Sequence, residues 1–132
     1  MTIDPTLVST AILTRLQDAW NASDGAGYGA AFAQESDFVT VRGEHFRGPH
    51  VITGGHQGIF DTIYRGSNVK LDLDLARELA RGVVLAVASS TLDVPSGPLE
   101  GRHHSRMTLV LTHGDQGWLI TALHNTLVAE GR

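Results

Sequence analysis

The stretch that decides the fold runs from residue 68 to residue 94, NVKLDLDLARELARGVVLAVASSTLDV. At its start Val69, Leu71, Leu73 and Leu75 alternate with Lys70, Asp72 and Asp74. A period of two is the mark of a strand with one wet face. Arg81-Gly82 then turns the chain into VVLAVASSTLDV, PSGPLEG turns it into RHHSRMTLVLTH, and GDQG leads into WLITALHNTLV. Strands this close together, joined by short turn segments, form an antiparallel meander.

Upstream the period becomes helical. Asp4-Pro5 predicts an N-cap with proline in the first turn, and Val8, Ile12, Leu16, Ala19 and Trp20 follow at helical spacing until NASDG ends the run. AGYGAAFAQ predicts a short second helix with Tyr28 and Phe32 four residues apart, and Asp37 to Val41 predicts a brief strand. After the connection GEHFRGP, Gly48-Pro49 opens a third helix whose stripe holds Ile52, His56, Ile59, Phe60 and Ile63, before Gly66 and Ser67 stop it. Helices first and antiparallel strands last give an α+β class with the helices on one face of a curved sheet, in a single domain over residues 1–132. Val83 to Ala88 and Met107 to Leu111 are apolar at consecutive positions, so both faces of those strands should be dry. Helices cover one face, and a second copy of the sheet is the simplest cover for the other, so a homodimer through the sheet is expected.

Composition narrows the function classes. Ten Lys and Arg are scattered and outnumbered by fourteen Asp and Glu, for a net charge of -4, so the chain lacks the positive field that nucleic-acid binding needs. No cysteine is present, which excludes disulfides, thiolate metal sites and a cysteine nucleophile. MTIDPTLVST carries no charged region leading into an apolar one, and no long apolar run occurs, so a cytoplasmic protein without membrane partners is expected.

Three motifs invite chemistry and do not carry it. Gly25-Ala26-Gly27-Tyr28-Gly29-Ala30 fits G-x-G-x-x-G/A, with Glu44 at a ribose-contact distance, but an amphipathic helix precedes it where the dinucleotide fold needs a buried strand. His103-His104 are adjacent on a strand and point to opposite faces, and H-E-x-x-H is missing; a distant set of His56, His104 and His124 is the residual metal reading. No serine sits in a G-x-S-x-G elbow. No cofactor and no metal are therefore expected.

His56 is more informative, because it stands in an apolar helical stripe between Ile52 and Phe60 and should face the sheet. In the last strand His124 shares parity with Trp118, Ile120 and Ala122, and in the strand before it Arg106 shares parity with Thr108 and Val110. If those parities face the helices, His56, His124 and Arg106 converge in one concavity walled by Trp20, Tyr28, Phe32, Phe38, Phe60, Thr108 and Trp118. Asn125 then lies on the opposite face or at the rim. The bland alternatives are a hydrogen-bonded core histidine and an aromatic core with no cavity.

LTRLQDAWNASDGAGYGAAFAQESDFVTV, FRGPHVITGGHQGIFDTIYRGS and SRMTLVLTHGDQGWLITALHNT, in that order, resemble the nuclear transport factor 2-like superfamily. Within it the likeness is to SnoaL-like proteins of the SgcJ/EcaC group, carried by W-N-A-x-D, by S-R-M-T with G-W-L-I, and by the terminal H-N-T. The resemblance implies a cone-shaped α+β barrel with a deep pocket and dimerisation through the sheet. Relatives include ketosteroid isomerase, SnoaL-type cyclases and dehydratases that move a proton next to a carbonyl, and others that only bind or assemble. The isomerase's base falls near Val41 and Arg42, where no carboxylate stands, whereas the cyclase-like last strand is matched by Trp118, His124 and Thr126. The oxidoreductase label common in that group finds no nucleotide fingerprint, cysteine or metal set here. The expected function is a small-molecule pocket for an apolar carbonyl metabolite. In an enzyme His124 or His56 would be the general base, tuned by Glu35 or Asp37, and Arg106 the oxyanion partner. The alternatives are a non-catalytic binding protein and a structural dimer module.

Overall fold

A computed structural model describes residues 3–129. Helix α1 spans Pro5–Asn21, α2 Gly25–Gly29 and α3 Pro49–Phe60. The strands are β1 Phe32–Val39, β2 His45–Arg47, β3 Asn68–Ala80, β4 Val83–Val94, β5 Gly101–Gly114 and β6 Gly117–Leu127. They form one curved sheet of six strands in the order β2-β1-β6-β5-β4-β3, antiparallel except where β1 runs parallel to β6. The architecture is α+β, with the helices packed on the sheet's inner face.

Local chemistry explains the helices. The Asp4 carboxylate accepts hydrogen bonds from the backbone N–H of Thr6 (2.9 Å) and Leu7 (3.3 Å), and Pro5 takes a position where a missing N–H costs nothing. α1 buries Ser9, Ile12, Leu13, Leu16 and Ala19. The glycines of the dinucleotide-like segment serve helix packing instead. A Cβ on Gly29 would fall 1.9 Å from Thr53 Oγ1, and one on Gly25 would fall 2.8 Å from Gln57 Cβ, so only bare backbone lets α2 approach α3 this closely. That approach seals Tyr28 under α3.

The first stretch of strand departs from expectation. β1 begins at Phe32 rather than Asp37, so Phe32 belongs to a strand and not to the short helix, and the GEHFRGP connection contains β2. β1 loses its register against β6 between Phe32 and Asp37, and its burial does not alternate there, which leaves no period of two to read.

Two further irregularities set which side chains face inward. In β3, Leu73 pairs with Ala88 but Leu75 pairs with Val87, so Asp74 is an extra residue and Leu75 turns outward, half exposed. In β6, Ala122 pairs with Val110 but Ile120 pairs with Leu111, so Thr121 is extra. Each bulge reverses the facing of everything beyond it.

β3 lies at the sheet edge, and α1 covers the start of it. Asn21 donates from Nδ2 to the Val69 carbonyl (3.0 Å) and accepts from the Val69 N–H (2.7 Å), while Gln17 accepts from the Leu71 N–H (2.8 Å). Two side-chain amides thus stand in for a neighbouring strand, and Trp20 adds an indole N–H bond to Ser67 Oγ at 2.9 Å. Losing both Val69 bonds leaves part-buried backbone groups unpaired, so Asn21→Ala should lower unfolding free energy by about 1–3 kcal/mol. Urea denaturation followed by circular dichroism measures this; an unchanged midpoint would show that the edge needs no such clamp.

Candidate ligand-binding cavity

The bent sheet and the helix layer do not close on each other. They leave a cavity of about 540 Å³, open to solvent at one end. Its helix-side wall is aromatic: Trp20 from α1, Tyr28 from α2 and His56 from α3, with Phe38 from β1. Its sheet-side wall comes from residues that alternate along the inner face, Val69 and Leu71 on β3, Ser90 and Leu92 on β4, Ser105 and Met107 on β5, Asn125 and Leu127 on β6. Thr40, Val41, Arg42 and Glu44, between β1 and β2, form part of the lining, with both charged side chains exposed.

His56 is the central polar group. It is 3% exposed, stacked on Tyr28 with centroids 4.1 Å apart, and met edge-on by Phe38 at 4.9 Å. Its Nδ1 lies 2.8 Å from the Ile52 carbonyl one turn back. A carbonyl only accepts, so Nδ1 carries the proton and Nε2 is left as a bare acceptor. Burial lowers the His56 pKa from 6.5 to about 4, against a smaller upward pull from the Ile52 bond, so the ring is neutral at physiological pH. Burial also pushes the Tyr28 phenol above its usual range, which keeps it a neutral donor. The same effect raises Tyr64, opposed by the positive charge of Arg42.

The expected convergence of His56 with His124 and Arg106 does not occur. Beyond the Thr121 bulge the inward residues of β6 are Leu123, Asn125 and Leu127, so His124 is exposed on the outer face. Arg106 and Thr108 are exposed beside it; Arg106 lies 3.8 Å from Asp74, which also accepts from Ser89 Oγ at 2.5 Å. Trp118 faces inward ahead of the bulge, against Val8 and Ile12 of α1, away from the cavity. Phe32 and Phe60 back the aromatic wall without lining it, Phe32 5.9 Å from Tyr28 and Phe60 4.9 Å from Trp20. Trp20, Tyr28, Phe38 and His56 do line it. Asp37 is taken by His45 at 2.7 Å and Arg47 at 3.9 Å, and Glu35 is exposed, so neither carboxylate tunes His56. With His104 and His124 outside and His56 inside, the distant metal set does not assemble.

Asn125 is the residue that the strict alternation missed. It lies on the cavity wall, and its amide oxygen is shut off from water with no hydrogen-bond partner among the described residues. Such a group costs about 1–3 kcal/mol when left unpaired. The sequence carries no clear signal for it: Trp118, Leu119 and Ile120 are apolar at both parities, and so are Leu127 and Val128. Ser90 and Ser105, cross-strand partners, and His103, whose Nε2 donates to the Leu99 carbonyl at 2.7 Å, complete the polar lining.

Comparison with known proteins agrees with this geometry. Residues 10–130 match the profile of the SnoaL-like domain family. A domain of unknown function with a cystatin-like fold from Nostoc punctiforme is 28% identical, with a TM-score of 0.88 over 98% of this chain and 81% of that one. An uncharacterised cystatin-like protein from Caulobacter vibrioides is 29% identical, with a TM-score of 0.84 over 95% of this chain and 90% of that one. A ketosteroid isomerase-like protein from Erwinia carotovora atroseptica shares the fold at 10% identity, with a TM-score of 0.80 over 98% of this chain and all (100%) of that one. No functionally curated protein matches the chain.

The neutral His56 has a consequence for stability. Between about pH 6.5 and about pH 4 the unfolded chain takes up a proton on this ring that the folded chain refuses, so folding loses stability as pH falls. The drop from 6.5 to about 4 corresponds to roughly 3 kcal/mol, complete only below the folded value. Urea midpoints taken from about pH 7 down to about pH 4.5 should therefore fall more steeply in the wild type than in His56→Gln. Parallel curves would show that His56 titrates alike in both states.

Proposed function

This chain belongs to the SnoaL-like domain family, and we propose that it is a small-molecule-binding protein whose ligand lies in the cavity between helices and sheet. The observation that carries this reading is the cavity itself: its volume of about 540 Å³ falls in the range of small-molecule sites, and its wall is apolar and aromatic with a few polar groups. A purely structural module would close this space with the aromatic residues that line it. The H-N-T and S-R-M-T stretches support the finer placement in the SgcJ/EcaC group, and no helix among the described residues is long and apolar enough to cross a membrane.

Binding is favoured over catalysis by the chemistry of His56. A general base works best with a pKa near the working pH, and a ring held at about 4 is a weak proton acceptor toward carbon. No carboxylate touches it to hold an imidazolium. Proton transfer is the second reading, favoured by one feature: the His56 ring, with Nε2 bare, stacks on Tyr28, whose phenol stays protonated and is the kind of donor an enolate oxygen would need. His124 and Arg106, on the outer face, have no part in either reading.

Mass spectrometry of small molecules released from the purified protein tests the proposal. A stoichiometric apolar compound is expected in the wild type and should be lost in Ser105→Phe, which fills the cavity wall. Equal content in both, or none in the wild type, would count against it. Return of the same compound unaltered after long incubation separates binding from catalysis.

The homodimer through the sheet also stands as a proposal. On the outer face Leu85 and Val87 of β4, Val110 of β5 and Ala122 of β6 form a half-buried apolar stripe, bordered by Leu75. A second copy would bury it. Val87→Glu should convert a dimer to a monomer in sedimentation velocity; an unchanged dimer would place the contact elsewhere.

A further inference from the structure

The hydrogen-bonding sense of the cavity wall restricts what fits it. Both imidazoles that line it have spent an N–H on a backbone carbonyl: His56 Nδ1 on Ile52 at 2.8 Å, and His103 Nε2 on Leu99 at 2.7 Å. In the neutral His56 ring the remaining nitrogen, Nε2, only accepts. Asn125, also on the wall, has its amide oxygen shut off from water with no partner among the described residues, while its NH2 is a donor. The charged side chains of the lining, Arg42 and Glu44, are exposed and of opposite sign. At the aromatic end, where His56 packs against Tyr28 and Phe38, no charged group among the described residues contributes to the lowered pKa of His56.

A bare acceptor at the aromatic end of an apolar cavity calls for a ligand that brings a proton to that point. A carbonyl or ether oxygen placed at Nε2 would set lone pair against lone pair. A carboxylate placed at Nε2 would lose its hydration without gaining a donor from that ring, which is costly. A hydroxyl on an aromatic or alicyclic body satisfies Nε2 and stacks on the aromatic wall at once. Resting on the binding function proposed above, we infer that the cavity selects an uncharged hydroxyl compound, a phenol or alcohol on a rigid apolar frame, whose O–H donates to His56 Nε2 and whose other polar groups meet Asn125. This departs from the carbonyl-bearing ligand expected from the resemblance: the group facing His56 is a donor. Ser90, Ser105 and Tyr28, whose hydroxyls rotate and both donate and accept, leave room for carbonyl oxygens elsewhere on the same molecule.

Isothermal titration calorimetry with three probes of one frame tests the inference: 2-naphthol, 2-methoxynaphthalene and 2-naphthoate. The first donates, the second has lost only the proton, and the third is an anion. 2-Naphthol should bind the wild type up to about tenfold more tightly than the methyl ether, the worth of one net hydrogen bond, and more tightly than the carboxylate. In His56→Phe, which keeps the ring and removes the acceptor, the preference for naphthol over the ether should vanish while the ether's own affinity holds. Ether binding as tightly as naphthol in the wild type, or the carboxylate binding tightest, overturns the inference and leaves the cavity as a binding site. Failure of all three probes to bind overturns both the inference and the function on which it rests. Should His56→Phe fold poorly, the wild-type ranking alone decides.

Discussion

The pairing register between β5 and β6 is the constraint on which the site depends. In a strand, facing alternates with a period of two, so one added residue exchanges the inner and outer sets of everything that follows. Thr121 is that residue. Before it, Trp118 and Ile120 point to the core; after it, Leu123, Asn125 and Leu127 take the inward positions and His124 is carried outside. Thr121 keeps its own place by a hydroxyl contact of 2.7 Å with Thr112, across from the bulge. The same device acts in β3, where Asp74 turns Leu75 away from the line of Val69, Leu71 and Leu73. Bulges such as these, one on β6 and one on the edge strand β3, increase the local twist and bend of a sheet, which helps it leave a hollow under a thin layer of helices.

That hollow is held open by short-range chemistry around its rim of aromatics. Gly25 and Gly29 let α2 approach α3 closely, and the approach presses the Tyr28 ring against His56. Asn21 and Gln17 tie α1 to the edge strand, and Trp20 is fixed at its nitrogen by Ser67. With the helix layer fastened at these points, the inner face cannot collapse onto the small side chains Ser90 and Ser105. Protein interiors are otherwise packed too tightly for a void of this size to persist. A buried histidine in such a wall lowers stability under acid conditions, and the lowering comes from the same burial that keeps the ring neutral and its free nitrogen an acceptor.

The family places this chain on a scaffold used with different walls. The ketosteroid isomerase-like relative shares its fold at 10% identity, which fixes the architecture and leaves the chemistry to the side chains. Here the segment between β1 and β2 contributes Val41 and Arg42 to the lining, and the hydroxyls of Tyr28, Ser90 and Ser105, the neutral His56 ring and the Asn125 amide make up polar parts of the interior.

The α+β class, the helix-capping Asp4-Pro5, the inward stripe of α3 with His56 on it, and the meander from β3 to β6 were all legible in residue order, because each rests on local periodicity or on a capping side chain within a few residues. The facing of His124, Asn125 and Arg106 was not recovered by strict alternation, because Trp118, Leu119 and Ile120 are apolar at both parities and leave the bulge at Thr121 unmarked. The irregular β1 and the three-residue β2 left no periodic trace, since their stability comes from neighbours distant in the chain. What residue order determined by itself was which segments form and which faces are apolar. Whether the space between those faces is filled or hollow, and which polar groups meet there, was decided by long-range pairing and by the close approach of α2 to α3. A bulge and a bare glycine backbone take their meaning only from the partner they pack against.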